Sequence, residues 1–126
     1  MYNIVGIMLG GGIGSLLRFL VMKPFNRSDN KHIGTFLVNT IGSFFLGVIF
    51  ATALSSSTFV YKFIVVGIIA SFTTFSTYEF DSITLLASQR YREYFKYTIA
   101  SCFVCLFCLY MGIFLYKFIK IKLSII

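Results

Sequence analysis

The run from Tyr61 to Asp81, "YKFIVVGIIASFTTFSTYEFD", decides how this chain folds. Beyond Lys62 it is apolar as far as Ala70 and reads as the first half of a membrane-spanning helix. Ser71, Thr73, Thr74, Ser76 and Thr77 are then interleaved with Phe72, Phe75 and Tyr78, and two acids, Glu79 and Asp81, follow. Small hydroxyl side chains bond to nearby backbone and compete with regular helix. Non-helical backbone at membrane depth survives only where protein buries it or water lines it. The run therefore predicts a span broken around Ala70 to Thr74, with carbonyl oxygens freed to point inward. Freed carbonyls are hard oxygen ligands suited to a small cation. Past the break, Phe75 and Tyr78 are three apart and share a face if helix resumes. Aromatic edges are electropositive, so this pair can hold a small anion with donors from Asn39, Ser76 and Thr77. Aromatics at that spacing more often serve packing, and the residues alone leave both readings open.

The rest of the chain agrees with a membrane setting. It has 126 residues, 58% hydrophobic and 12% charged, with a mean hydropathy of +0.89. A soluble domain carries about 25% charged residues, so there is too little polar surface here to coat a water-soluble globule. The expected fold is an all-α integral membrane protein, one domain over 1–126, with approximate spans 3–22, 33–53, 59–88 and 94–118. Three of these are near the roughly 20 residues that cross a bilayer, while 59–88 is too long for one simple crossing. The first lacks the basic flank and cleavage site of a signal peptide and reads as a permanent span.

A net charge of +7 raises nucleic acid as a partner, but basic residues at span ends normally face lipid headgroups. No basic residues alternate with aromatics on a polar segment, and nucleic-acid binding is not expected. Cys102, Cys105 and Cys108 resemble part of an iron–sulfur ligand run. In steps of three on a continuous apolar helix they fan round its surface instead of converging, and they read as small buried hydrophobes.

With four spans, the termini and second loop share one side of the membrane, holding Lys62, Lys117, Lys120 and Lys122. The other side holds Arg18, Lys23, Arg27, Lys31, Arg90, Arg92 and Lys96. Seven against four is a weak orienting bias under the positive-inside rule. The chain is therefore expected to insert both ways, or to pair with an oppositely oriented sister chain.

Between helices in lipid, close approach and polar contacts replace the hydrophobic effect. Gly6, Gly10 and Gly14 form a bare ridge along span one, and Arg18 continues it by one turn. An unpaired charge in hydrocarbon is costly, so Arg18 reads as a structural anchor first and an anion-attracting charge second. Thr35, Asn39 and Ser43, extended by Gly47, give span two one polar face. Asn39 is either an interhelical hydrogen bond or a pore donor. In span four Tyr97, Ser101 and Cys105 again recur every four residues. Two such stripes suggest a narrow polar path between helices.

Three segments taken together, "GGGIGSLLRF" (Gly10 to Phe19), "GTFLVNTIGSFFLG" (Gly34 to Gly47) and "ASFTTFSTYEFD" (Ala70 to Asp81), resemble the Fluc/CrcB family of fluoride channels. The resemblance covers essentially the whole chain. It implies an antiparallel, dual-topology dimer with two fluoride pores, passively exporting fluoride across a bacterial plasma membrane. By the family pattern Phe75 and Tyr78 occupy the aromatic-box positions, and Asn39 donates to fluoride with Thr35 nearby. Ser76, Thr77, Tyr97, Ser101 and Cys105 fall on the polar track. A structural sodium ion is implied at main-chain carbonyls of Ala70 and Thr73 from both subunits, and Arg18 matches the first-span arginine.

Three positions depart from the pattern. Tyr78 replaces the usual Phe, Ala70–Ser71 replaces a Gly–Gly pair, and Cys105 replaces a hydroxyl. They keep open a paralogous partner in place of a homodimer, or an accessory role. A small multidrug transporter is expected to carry a carboxylate in its first span, where this chain has only Arg18. An enzyme is not expected, since no nucleophile–base pairing is visible and His32 stands alone in what reads as a loop.

Overall fold

A computed structural model of the chain describes residues 2–25, 31–52 and 58–124. Four helical segments in it are long and apolar enough to cross a membrane: Tyr2–Met22, Lys31–Ala51, Phe59–Ala87 and Tyr91–Leu123. The first two are single helices, α1 (Tyr2–Met22) and α2 (Lys31–Ala51), of 21 residues each. At 1.5 Å per residue each is about 31 Å long, matching a hydrocarbon core of about 30 Å. His32, read from sequence as a loop residue, lies instead in the first turn of α2.

The third span is composite. A short α3 (Phe59–Tyr61) is capped by Thr58, whose side chain accepts from the Tyr61 amide. A π-helical stretch follows over Lys62–Ile69, which the apolar run gave no reason to expect. α4 (Ala70–Phe72) then ends at two extended residues, Thr73 (φ −77, ψ 160) and Thr74 (φ −151, ψ 120). Helix resumes as α5 (Phe75–Ala87). The break is thus real but narrower than Ala70 to Thr74. Thr73 still keeps the helical step, its hydroxyl donating to the Ile69 carbonyl at 3.1 Å and its amide to the same oxygen at 3.0 Å. The ladder first fails at Thr74, whose amide turns to the Asn39 side chain. Thr74 then caps α5, its hydroxyl oxygen accepting the Thr77 amide at 3.2 Å, the ordinary service of a threonine at that position.

α5 stops at Gln89, whose φ of 56 is left-handed, a common way to end a helix. α6 (Tyr91–Ser124) has 34 residues, about 51 Å, and overruns the sequence-based span of 94–118 at both ends. At its start Arg90 and Glu93 pair, Nε to Oε1 at 2.8 Å. At its end no proline or glycine interrupts "KFIKIKLS".

The glycine ridge of α1 is buried and lies on the π-helical stretch. A Cβ at Gly10 would stand 2.5 Å from the Phe63 carbonyl oxygen and 3.0 Å from the Gly67 Cα, and one at Gly14 would collide with the Ile68 carbonyl. α2 and α6 meet the same way, with Gly47 against the Leu109 backbone and Gly112 against the Phe44 carbonyl. Gly112 was not singled out from sequence, although Cys108 four residues before it completes a pair of small residues. Gly10→Ala should therefore destabilise the fold by about 1–3 kcal/mol, the usual cost of overpacking. Gly12→Ala, whose Cβ would meet nothing within 4 Å, should be neutral; equilibrium unfolding in detergent compares the two.

Between 11% and 28% of each span is buried inside the chain. Few residues of any span are fully enclosed, and each span presents large apolar side chains to lipid or to another protein surface. The interior is correspondingly small, and Val38, Ile69, Phe72, Leu85 and Tyr97 are its buried large side chains.

Candidate functional site

The break faces α2, and Asn39 meets it. Asn39 Nδ2 donates to the Thr74 carbonyl at 3.0 Å, while the Thr74 amide donates to Asn39 Oδ1 at 2.8 Å. This reciprocal pair gives Thr74 what the helix took away, since its amide no longer reaches the carbonyl four residues back. The carbonyl of Ala70 loses its helical partner by the same step. One of the two N–H groups that an amide offers is not used in the clasp.

A cavity of about 420 Å³ opens at this point, its wall including Asn39, Ser43, Ala70, Thr73, Thr74 and Phe75. The Thr73 carbonyl receives Arg18 Nη1 at 3.4 Å. Arg18 is thus anchored at the break, within the span. Gly42 packs onto the Thr73 methyl so closely that a Cβ there would collide. The hydroxyls of Ser76 and Thr77 gather on Thr74 Oγ1, at 3.4 and 2.9 Å.

From the break a series of rings leads along the bundle. Phe75 and Tyr78 have centroids 5.8 Å apart, Tyr78 and Tyr97 5.2 Å, and Tyr97 and His32 5.3 Å. Phe75 is 74% exposed on the surface of the single chain, which leaves its edges open to whatever lies beyond. Tyr78 is held between Phe75 and Tyr97.

Thr35 is fully buried and donates to Asp81 Oδ2 at 2.6 Å, with Asp81 itself buried. From sequence alone Asp81 lies late in span three and has no site role. The signal was present, since Asp81 is four residues beyond Thr77 and seven beyond Thr74, on the face that meets α2. Tyr97 stands beside Thr35 and Asp81, yet its buried hydroxyl closes no hydrogen bond of ordinary geometry among the described residues. The buried hydroxyls of Ser101, Thr98 and Ser82 are likewise unpartnered there. Cys105 Sγ lies 3.9 Å from the Thr40 hydroxyl, which puts the Tyr97–Ser101–Cys105 stripe against α2. Buried hydroxyls are normally satisfied, so those of Tyr97 and Ser101, one turn apart on α6, are able to bond a polar guest. Cys102, Cys105 and Cys108 are free thiols, the first exposed and the others half-buried.

Chemically, the site combines a clasped backbone break, a spare amide donor, hydroxyls and ring edges, all within apolar spans. These groups can exchange for the hydration shell of a small ion. They include no nucleophile aligned with a base.

Comparison with known proteins bears on what that ion is. Residues 5–113 match the sequence model of the family described as "CrcB-like protein, Camphor Resistance (CrcB)". The chain is 36% identical over 112 residues to a fluoride-specific ion channel FluC of Campylobacter jejuni subsp. jejuni serotype O:23/36 (strain 81-176), covering 86% of this chain and 92% of that protein. It is 35% identical over 118 residues to one from Shewanella halifaxensis (strain HAW-EB4), covering 89% and 94%. With one from Aquifex aeolicus (strain VF5) the identity is 32% over 114 residues, covering 86% and 92%.

Proposed function

The chain belongs to the CrcB-like family, and from that premise we propose that it is a fluoride-specific channel, a multi-pass protein of the bacterial cell membrane and not an enzyme. The ion moves passively. An inside-negative potential is worth about 2.3 kcal/mol per charge for each 100 mV, enough to drive the anion out and lower its concentration in the cytoplasm.

The observation that carries this reading is the pairing of the Asn39–Thr74 clasp with the Phe75–Tyr78 rings on one side of the break. Fluoride gives up its hydration only to groups that replace it. The spare Asn39 N–H, the Ser76 and Thr77 hydroxyls and the ring edges of Phe75 and Tyr78 are such groups. Tyr97, Ser101 and Cys105 extend the polar track, and Thr35 occupies the neighbouring Asp81.

The working unit is an antiparallel homodimer with two pores. The near-balance of Lys and Arg across the membrane supports it, as does the large surface that a single chain leaves uncovered. A structural sodium ion belongs at the break, between the Ala70 and Thr73 carbonyls of the two subunits. The fit is supported by the Ala70 carbonyl that Thr74 has released and by the cavity both residues line. A bound sodium supplies positive charge that ties the two breaks together.

Fluoride efflux from liposomes holding only this purified chain tests the reading. Efflux in the presence of sodium is the expected result. Absence of efflux, restored by adding a paralogous chain, would replace the homodimer with a heterodimer.

A further inference from the structure

We propose that Arg18 sets how tightly the break holds its cation, weakening that grip by its own positive charge. The inference rests on the sodium site proposed above and concerns a residue to which that reading gives only a structural place.

Arg18 lies four residues from the end of α1 at Met22, about 6 Å along the axis. An arginine so close to a helix end can snorkel to the headgroups. Its guanidinium turns inward instead and donates to the Thr73 carbonyl at 3.4 Å. The glycine ridge brings it there. Gly10 and Gly14 press the α1 backbone onto Phe63, Gly67 and Ile68, so the next residue on the ridge, Arg18, arrives beside Thr73.

A carbonyl oxygen has two lone pairs, so the guanidinium does not exclude a second partner. It does draw electron density from that oxygen and places a fixed positive charge beside any cation bound to it. Opposing this would require a carboxylate. Asp81 is engaged by Thr35, Glu79 is an exposed residue of α5, and among the described residues no acid lines the cavity at the break. The Asn39 amide is neutral and engages Thr74. Among the described residues the charge of Arg18 is thus uncompensated at the carbonyl it touches.

The test is thermal unfolding of the purified full chain in detergent, with sodium titrated against a bulky organic cation at constant ionic strength. In the wild type the midpoint should rise with sodium and saturate. Arg18→Gln, which removes the charge, should saturate at a sodium concentration about tenfold lower or less, as one like charge removed at short range in a medium of intermediate dielectric predicts. Arg18→Lys keeps the charge and should follow the wild type. If Arg18→Gln does not fold, Arg18→Met, which removes the charge and keeps the apolar stem, takes its place with the same expected shift. A sodium response in the wild type with an unshifted or weaker response in the neutralised variant overturns the role of Arg18. No sodium response in the wild type overturns the sodium site itself.

Discussion

Phe75→Ile should abolish fluoride efflux in liposomes, by about a hundredfold or more, while Tyr78→Phe should leave it near the parent rate. A hundredfold loss corresponds to about 2.7 kcal/mol on the barrier, similar to removing one well-placed donor from a site that stabilises an anion. Isoleucine has much the same apolar character as phenylalanine but no electropositive edge. The exchange therefore separates ring electrostatics from mere greasiness. Phe75 is well suited to the comparison because most of its ring is uncovered by its own chain, so little intramolecular packing is lost. Tyr78 packs through its ring on Phe75 and Tyr97, contacts that phenylalanine keeps. A fully active Phe75→Ile would remove the rings from the permeation path.

Asn39→Asp should stop flow as completely, for two reasons that a second measurement separates. A carboxylate can still accept from the Thr74 amide, but it cannot donate to the Thr74 carbonyl, and it puts a negative charge where an anion must pass. Asn39→Ala removes both clasp bonds without adding charge. It leaves the Thr74 amide and carbonyl unsatisfied at a partly buried position, at a cost of about 1–3 kcal/mol for each group lost. Unfolding equilibria should show the alanine variant clearly less stable than the parent, by about 2 kcal/mol or more. An alanine variant as stable as the parent would mean that the clasp does not hold the break. An aspartate variant that still conducts would remove Asn39 from the pore.

Much of this arrangement was legible before any coordinates. The four spans followed from hydropathy, and the position of the break followed from threonines that prefer local hydrogen bonds to helix. The glycine ridge of α1 was visible because a period of four is a helical face. What stayed hidden shares a different character. That Thr73 and Thr74 alone leave the helix depends on which carbonyl each side chain selects, and several choices are chemically equal in sequence. Asn39 allowed two roles because its partner, a backbone amide, has no signature. Asp81 had no visible role because burial of an acid is decided by its neighbour, and Thr35 lies 46 residues away. His32 looked like loop because "KPFNRSDNKH" is polar apart from Pro24 and Phe25, yet α2 begins before that polarity ends.

The π-helical stretch from Lys62 to Ile69 has a consequence for how sequences of this kind can drift. Each residue in an α-helix advances the chain by about 100° around its axis, and π geometry adds residues without adding a full turn's worth of length. The number of residues in that stretch therefore works like a gear tooth count, fixing the angle at which Thr73, Phe75 and Tyr78 emerge downstream. Losing a single apolar residue there would leave composition and hydropathy almost untouched. The same rings would be turned toward different neighbours.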